Sequence, residues 1–236
     1  MPSVIITGGT KGIGRCLVLK FASKGFDIAT CARNQSELDS LKKIVESNYP
    51  TIKIFLLKCD ISKKDEIINF GKLAIIELGT VDVLINNAGI FIQGSISKEE
   101  EDVFEKQINT NLASAYHLTR TILPGMISTQ NGYIFNMCST ASITAYTNGG
   151  SYCISKFGLL GFSKVLREEM KEYNIRVSSV MPGATLTASW EGTELPSERF
   201  INPEDVANLI FNFYETPLSM NIEEILIRPF KGDIDN

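Results

Sequence analysis

The chain has 236 residues, of which 44% are apolar and 21% are charged, a composition typical of a globular protein large enough for a full α/β core. Its net charge of −4, without a dense cluster of Lys or Arg, argues against nucleic acid as a partner. No apolar run is long enough to span a membrane, and the N-terminus lacks the pattern of a signal peptide. The five cysteines show no paired spacing, which predicts reduced thiols in a cytoplasmic protein. With a single histidine, the sequence predicts no metal site.

The first predicted strand leads into a glycine-rich turn. Val4 to Ile6 form a buried strand ending at Thr7, and the pattern T-G-x-x-x-G-x-G follows, before a helix predicted from Arg15 to Lys24. The glycines let the backbone turn sharply and let a pyrophosphate approach the helix N-terminus, where N–H groups favour an anion. Lys11 is followed by Gly12 rather than by Ser or Thr, which excludes a Walker phosphate loop. The alternative is a glycine-rich turn that binds no ligand.

Arg33 follows the second predicted strand, Phe26 to Cys31. In an NAD-binding βαβ unit an acidic residue at this place binds the ribose hydroxyls, and none is present here. The Arg33 guanidinium suits the 2′-phosphate of NADP instead, and Lys11 and Arg15 could add positive charge. The alternative interpretation is a solvated surface arginine.

Asp60 lies just after the third predicted strand, Ile52 to Leu57, which is preceded by a helix from Ser36 to Ser47. Two roles remain open for its carboxylate. It could hold the adenine edge of a dinucleotide, or it could belong to the turn before the next helix, Ile67 to Leu78, with Ser62 as the cap of that helix.

The fourth predicted strand, Val81 to Ile85, leads into Asn86-Asn87-Ala88-Gly89. Two small amides and a glycine at a strand end are typical of a tight turn beside a ligand. The same amides could instead hydrogen-bond the loop to neighbouring strands, and both roles can hold together.

A long helix is then predicted from about Glu99 to Ile127, with the acidic run Glu99 to Asp102 interpreted as a solvated face. Asn111 lies within it among apolar residues, where a lone Asn is usually a satisfied core amide.

The stretch around Tyr152 carries the chemistry. A fifth strand, Gly132 to Met137, ends beside Ser139, and a helix predicted from Ser151 to Tyr173 contains Tyr152 and Lys156. Positions i and i+4 of a helix share one face, about 6 Å apart along the axis. A nearby ammonium favours the ionised phenol, so Lys156 is expected to lower the pKa of Tyr152 from about 10 toward neutral pH, where it can act as an acid or base. Alone, Y-x-x-x-K also occurs on many surface helices.

The last third of the chain continues the alternation of strands and helices. Ile175 to Val180 form a sixth strand closed by Pro182-Gly183, and residues 184–202 have no clear periodicity and are a candidate substrate lid. A helix from Pro203 to about Tyr214 and a strand from Ile225 to Ile227 follow. The alternation predicts one doubly wound, Rossmann-type α/β domain whose parallel seven-stranded sheet has helices on both faces.

In this order the motifs resemble the short-chain dehydrogenase/reductase family, over nearly the whole chain. The interval of thirteen residues between Ser139 and Tyr152 also matches that family. The motifs that carry the resemblance are Thr7-Gly8, Gly12-Ile13-Gly14, Asn86-Asn87-Ala88-Gly89, Asn111, Ser139, Tyr152, Lys156 and Pro182-Gly183.

The resemblance implies roles for the matched positions. Tyr152 would be the acid/base and Ser139 would hold the reacting carbonyl oxygen. Lys156 would lower the pKa of Tyr152 and bind the nicotinamide ribose, and Asn111 would support a water-linked proton relay to Lys156. The implied cofactor-binding residues are Gly8, Thr10, Lys11, Gly12, Ile13, Gly14, Arg33, Asp60, Asn87, Ala88, Gly89, Tyr152, Lys156, Pro182, Gly183, Thr185 and Thr187.

The implied function is NADP(H)-dependent interconversion of a carbonyl and an alcohol on a small molecule, with NADP(H) preferred over NAD(H). The implied assembly is a homodimer or homotetramer, because family members often pair through the two long helices. A non-catalytic NADP(H) sensor or scaffold on the same fold is the alternative. The C-terminus, which lacks the frequent Val-Asp-Gly-Gly ending of the family, puts subunit contacts built on that ending in doubt.

Overall fold

Seven parallel strands form a single sheet in the computed structural model, which describes residues 1–190 and 192–234. The strand order, β3-β2-β1-β4-β5-β6-β7, confirms the doubly wound, Rossmann-type parallel sheet that the sequence predicts. The strands are β1 (Ser3–Thr7), β2 (Asp27–Ala32), β3 (Ile54–Lys58), β4 (Val83–Asn86), β5 (Gly132–Met137), β6 (Ile175–Pro182) and β7 (Glu224–Ile227).

Helices cover both faces of the sheet, as the predicted crossovers require. Most helix boundaries fall within a few residues of the prediction, although the first helix begins at Gly12 rather than at Arg15. The helices are α1 (Gly12–Ser23), α2 (Gln35–Asn48), α3 (Lys64–Leu78), α4 (Val103–Ile108), α5 (Ser114–Thr129), α6 (Gly150–Met170) and α7 (Pro203–Tyr214).

The alternation of side chains along the strands divides the core into two layers. In β1, Val4 and Ile6 pack in the layer under α1, α2 and α7, whereas Ile5 packs in the layer under α3, α5 and α6. All three side chains are fully buried. The sequence of β1 is therefore a continuous apolar run, because both faces of a strand within a covered parallel sheet are buried.

The long helix predicted from about Glu99 to Ile127 is present, but it begins later, at Val103, and continues to Thr129. A π-helical segment, Asn109–Ala113, lies between α4 and α5 and continues the helix. In the acidic run Glu99 to Asp102, the three residues after Glu99 are exposed as predicted. Glu99 is not, because its carboxylate accepts hydrogen bonds from Ser151 at the start of α6. Periodicity predicts a helix here but does not distinguish a single π-helical turn from the α-helix around it.

The two ends of the predicted lid at residues 184–202 are joined to each other. Thr185 and Ile201 form a parallel bridge, and the Leu186 N–H donates to the carbonyl of Ile201 at 2.9 Å. Between these ends lie two short 3₁₀ turns, and the Trp190 ring packs edge-on against Phe200. Glu191 of this segment, and the last two residues of the predicted 1–236 domain, lie outside the described residues.

The described ranges 1–190 and 192–234 contain no helix that is long and apolar enough to cross a membrane. Within the same ranges the cysteines are free thiols, four of them buried.

Candidate active site

The glycine loop joins β1 to α1 in the geometry that an anion site needs. Gly8 and Gly12 have positive φ values of 70° and 51°, which L side chains rarely adopt. A Cβ on Gly14 would lie 2.1 Å from the carbonyl oxygen of Gly8, so the loop closes tightly on the helix. Helix α1 has no side-chain cap and no acid in its first turn. Its first N–H groups are therefore oriented for a bound anion, which is the fit expected of a dinucleotide pyrophosphate.

The Asn86–Gly89 turn is hydrogen-bonded to the end of β1, where this loop begins. The Thr7 hydroxyl accepts from the N–H groups of Asn87 and Ala88, both at 3.0 Å, and the Asn87 amide donates to the Thr7 carbonyl at 2.8 Å. The Asn86 amide donates to Asn136 in β5 and to Thr119 in α5. These amides therefore hydrogen-bond the turn to neighbouring strands, one of the two roles that the sequence left open. Gly89 lies between Asn111 and Lys156, since a Cβ there would be 3.2 Å from Asn111 Oδ1 and 3.5 Å from Lys156 Nζ.

The opposite end of the loop carries exposed charges. Arg33 is exposed at the end of β2. Lys11 forms an ion pair with Glu37 at 2.9 Å, and the Thr10 hydroxyl donates to the same carboxylate at 3.0 Å. The Lys11 hydrogen bond, together with weaker contributions from Thr10 and Asn34, lowers the pKa of Glu37. Glu37 was missed as a member of this group, although an acid three residues after the helix-capping Asn34 is a recognisable signal.

Asp60 is engaged by its own turn. Its carboxylate accepts from the Ser62 N–H at 3.1 Å and from the Ser62 hydroxyl at 2.8 Å. Partial burial opposes its charge, but these bonds and the positive charges of Lys63 and Arg33 together lower its pKa. Ser62 does not cap the next helix, because α3 begins at Lys64 with Lys63 at the cap position. The carboxylate is therefore held near Arg33 by its own turn.

Ser139, Tyr152 and Lys156 meet where β5 ends. Ser139 caps the short 3₁₀ turn after β5, and its hydroxyl accepts from the Ala141 N–H at 3.1 Å. The same hydroxyl lowers the pKa of the Tyr152 phenol, against the larger effect of burial. Lys156 is buried, and its ammonium donates to the Met137 carbonyl at 2.7 Å and lies 5.8 Å from the centre of the Tyr152 ring. One face of α6 therefore presents a phenol and an ammonium to the end of β5.

The expected lowering of the Tyr152 pKa by Lys156 is wrong for this arrangement. Burial raises the pKa of Tyr152 above its usual value, and the Ser139 hydroxyl opposes this only in part. Burial also lowers the pKa of Lys156 to about 8. Desolvation disfavours the charged form of both groups and is the largest cause of both shifts. Tyr152 is therefore protonated at neutral pH, the state of a proton donor.

Asn111 lies in the π-helical segment, where a local widening of a helix is frequent at functional sites. Its side chain is satisfied on both ends, since Oδ1 accepts from the Ile90 N–H at 2.8 Å and Nδ2 donates to the Ile90 carbonyl and the Ser155 hydroxyl, both at 2.9 Å. The amide thus joins the turn after β4 to α6, one residue before Lys156.

The remaining predicted cofactor residues follow β6. Pro182 is the last residue of that strand, Thr185 donates to the Gly183 carbonyl at 3.0 Å, and Thr187 reaches the glycine loop, where its methyl group is 3.0 Å from the position of a Cβ on Gly12. Ile13 lies in the first turn of α1.

The sequence did not reveal Phe91, whose ring packs edge-on against the ring of Tyr152 with 4.8 Å between centroids. No local pattern marks it, because only the fold brings the two rings together.

Comparison with known proteins identifies the class. The short chain dehydrogenase family matches residues 2–196. The chain belongs to this short-chain dehydrogenase/reductase family, and it is an oxidoreductase enzyme.

Two curated relatives have about the same length as this chain. The sepiapterin reductase of Chlorobaculum tepidum is 30% identical over 239 residues, covering 99% of this chain and 98% of its own. The 3-oxoacyl-(acyl-carrier-protein) reductase FabG of Thermotoga maritima is 31% identical over 216 residues, covering 87% of each chain.

Among solved structures, a metagenomic short-chain oxidoreductase in complex with NADP matches with a TM-score of 0.84 and 28% identity, covering 97% of this chain and 96% of its own. An alcohol dehydrogenase from the archaeon Thermococcus sibiricus, complexed with 5-hydroxy-NADP, matches with a TM-score of 0.91 at 22% identity over the full length of both chains. The second likeness bears on the fold alone.

Proposed function

We propose that this protein reduces the carbonyl group of a small molecule to an alcohol with NADPH, reversibly, as one domain. The observation that carries the proposal is the convergence of Ser139, Tyr152 and Lys156 at the end of β5, across Gly89 from Asn111. A donor phenol, a hydroxyl and an ammonium at one sheet edge are the groups that carbonyl reduction needs.

The cofactor would bind along the carboxyl edge of the sheet. The uncapped start of α1 would hold its pyrophosphate, and Asn87 and Asp60 would bracket the adenosine half. Arg33 supports NADPH over NADH, because it is exposed at the end of β2, where a NAD-binding chain would carry an acid. The metagenomic relative, which is crystallised with NADP, supports the same choice. Pro182, Gly183, Thr185 and Thr187 would line the nicotinamide.

The chemistry of each residue follows from its position. Bound NADPH would supply a hydride to the carbonyl carbon. The Tyr152 phenol, protonated at neutral pH, donates its proton to the carbonyl oxygen, while the Ser139 hydroxyl donates a hydrogen bond to the same oxygen. The Lys156 ammonium stabilises the phenolate that remains and binds the nicotinamide ribose. Asn111 holds the turn after β4 against α6 and supports the return of a proton toward Lys156.

The side chains near Tyr152 favour a substrate with an apolar or aromatic body. Phe91, which is 41% exposed, packs on Tyr152, and Leu186 and Leu195 of the 184–202 lid are also exposed. These surfaces would bury a small hydrophobic substrate beside the phenol.

A homodimer or homotetramer is proposed from the outer face of α4, α5 and α6. Phe104, Tyr116, Phe157 and Val165 are each at least 41% exposed on these helices, and Tyr116 of α5 packs against Phe162 of α6, so the helices share a surface. Apolar side chains grouped on one face mark an interaction surface, and a second copy with the same face would bury them.

The proposal is tested by following NADPH absorbance with a panel of ketones, aldehydes and diketones that includes sepiapterin and a 3-oxoacyl thioester. We expect turnover with at least one carbonyl and a smaller kcat/KM with NADH. NADPH binding without turnover on any of them would instead favour the non-catalytic sensor.

A further inference from the structure

Glu99 caps the helix that carries Tyr152 from a distant part of the chain. Helix α6 begins at Gly150, and neither a side-chain cap nor an acid in its first turn is supplied locally. Instead Glu99 Oε1 accepts from the Ser151 N–H at 2.8 Å, and Oε2 accepts from the Ser151 hydroxyl, across a separation of 52 residues. A carboxylate at a helix N-terminus satisfies free N–H groups and is favoured by the helix dipole.

The backbone on both sides is shaped around this carboxylate. A Cβ on Gly150 would lie 2.0 Å from Glu99 Oε1, and a Cβ on Gly94 would lie 2.7 Å from Glu99 Cγ. Both positions therefore exclude a side chain while Glu99 is in place. The two segments are joined a second time where the Gly94 N–H donates to the Asn148 carbonyl at 3.0 Å, next to a left-handed backbone at Asn148 with a φ of 63°.

The segment that contains Glu99 also reaches the reacting side chain. Phe91 lies eight residues before Glu99, and its ring packs against the ring of Tyr152. Ser151, which donates hydrogen bonds to the Glu99 carboxylate, directly precedes Tyr152 and is buried. The backbone before Tyr152 and the ring of Tyr152 are thus both held by one stretch, residues 91–99.

We propose that Glu99 is a positioning residue that fixes the start of α6 and so sets the place of the Tyr152 phenol. This inference rests on the proposed function, because it assigns Tyr152 the role of proton donor. Glu99 acts through Ser151, to which both of its carboxylate oxygens are hydrogen-bonded. A proton donor must be aligned within a fraction of an ångström, and a small displacement lowers turnover far more than it lowers cofactor affinity.

The test compares Glu99→Ala with Glu99→Gln and with the matched control Glu100→Ala, which removes an exposed acid next in the chain. Gln can still accept from the Ser151 N–H and donate to the Ser151 hydroxyl, so it keeps the geometry and removes the charge. Steady-state kcat with a verified carbonyl, the Kd for NADPH, and deuterium uptake at the amides of residues 150–153 are measured at a temperature where every variant is folded.

We expect Glu99→Ala to lower kcat about tenfold while the Kd for NADPH changes by less than about twofold, and to raise deuterium uptake at residues 150–153. Glu99→Gln should recover most of kcat, and Glu100→Ala should match the unmodified protein. If Glu99→Ala does not fold, Ser151→Ala removes one of the two bonds and should lower kcat by a smaller factor, about threefold.

An unchanged kcat in Glu99→Ala, or a Glu99→Gln variant as slow as Glu99→Ala, would overturn the positioning role. If Glu99→Ala did not fold, an unchanged kcat in Ser151→Ala would overturn it in the same way. Turnover of no carbonyl by the unmodified protein would instead overturn the proposed function, and with it the catalytic part of this role. The exchange measurement separates the two failures, because it reports whether Glu99 holds the helix start even where no turnover is seen.

Discussion

The two ends of the site hold their charges in opposite ways. At the catalytic end Lys156 is buried, donates to the Met137 carbonyl and has a pKa lowered to about 8 by desolvation. At the end that we assign to the adenosine half of the cofactor, Arg33 is exposed, and the Lys11 ammonium, also exposed, pairs with the half-buried Glu37 carboxylate. Burial thus tunes proton affinity at the chemical end, whereas the other end can only attract a phosphate through screened charge.

The largest effect that would sharpen this contrast is expected from Lys156→Ala. One ammonium is assigned both to the phenol and to the nicotinamide ribose, so its loss should reduce turnover by about 10²–10⁴ and also weaken NADPH binding. The measurements are kcat and the Kd for NADPH by fluorescence titration. Full affinity with reduced turnover would remove the ribose role from Lys156.

At the exposed end, Arg33→Asp should weaken NADPH binding by roughly 10- to 150-fold while kcat at saturation stays within about twofold, because the charge is assigned only to the adenosine half. The loss should shrink as salt rises, since the interaction is screened. Lys43→Asp, which makes the same charge change on exposed α2, serves as the control. Equal affinity of the unmodified protein for NADH and NADPH would contradict the assignment of Arg33.

The buried lysine should also cost stability in a defined pH window. Its pKa is about 8 in the folded protein and 10.5 in the unfolded chain, so the unfolded chain binds more protons between these values. The penalty is complete below pH 8 and disappears as pH rises toward 10.5. Without cofactor, Lys156→Met should therefore raise the free energy of unfolding at pH 7 by about 1–3 kcal/mol, and the gain should fade by pH 10. Urea unfolding at the two pH values checks this, and a gain independent of pH would contradict it.

The exposed face of α6 tests the assembly. Phe157→Glu places a charge on the exposed face of α6 and should convert the proposed oligomer to a monomer. Light scattering at micromolar concentration measures the mass. A monomer mass for the unmodified protein would reject the oligomer.

Local patterns predicted most of the fold and the residue types of the site. Strand periodicity, the glycine loop and the Tyr152–Lys156 spacing depend on neighbours within one element, and they placed the seven strands and the shared face of α6. The π segment at Asn109–Ala113 was missed because apolar periodicity does not distinguish one π turn from the α-helix on either side of it. The direction of the Tyr152 pKa was missed because it depends on burial, which spacing does not report.

Contacts between distant segments were also beyond local patterns. Glu99 was assigned to solvent because acids next to one another are usually solvated, and only the fold brings it to Ser151. Phe91 carries no signal in its own neighbourhood, yet its ring lies on Tyr152. Both belong to the segment after β4, whose place depends on the hydrogen bonds of Asn111 to Ile90.

The most direct test of the account is the Tyr152→Phe variant, measured beside Ser139→Ala and the control Tyr173→Phe. Removing one hydroxyl should leave the fold and the Kd for NADPH unchanged and should cut kcat by about 10²–10⁴. Ser139→Ala should lower kcat with little change in cofactor affinity, and Tyr173→Phe should change neither. Near-full turnover by Tyr152→Phe on a verified carbonyl substrate would contradict the assignment of Tyr152 as the proton donor.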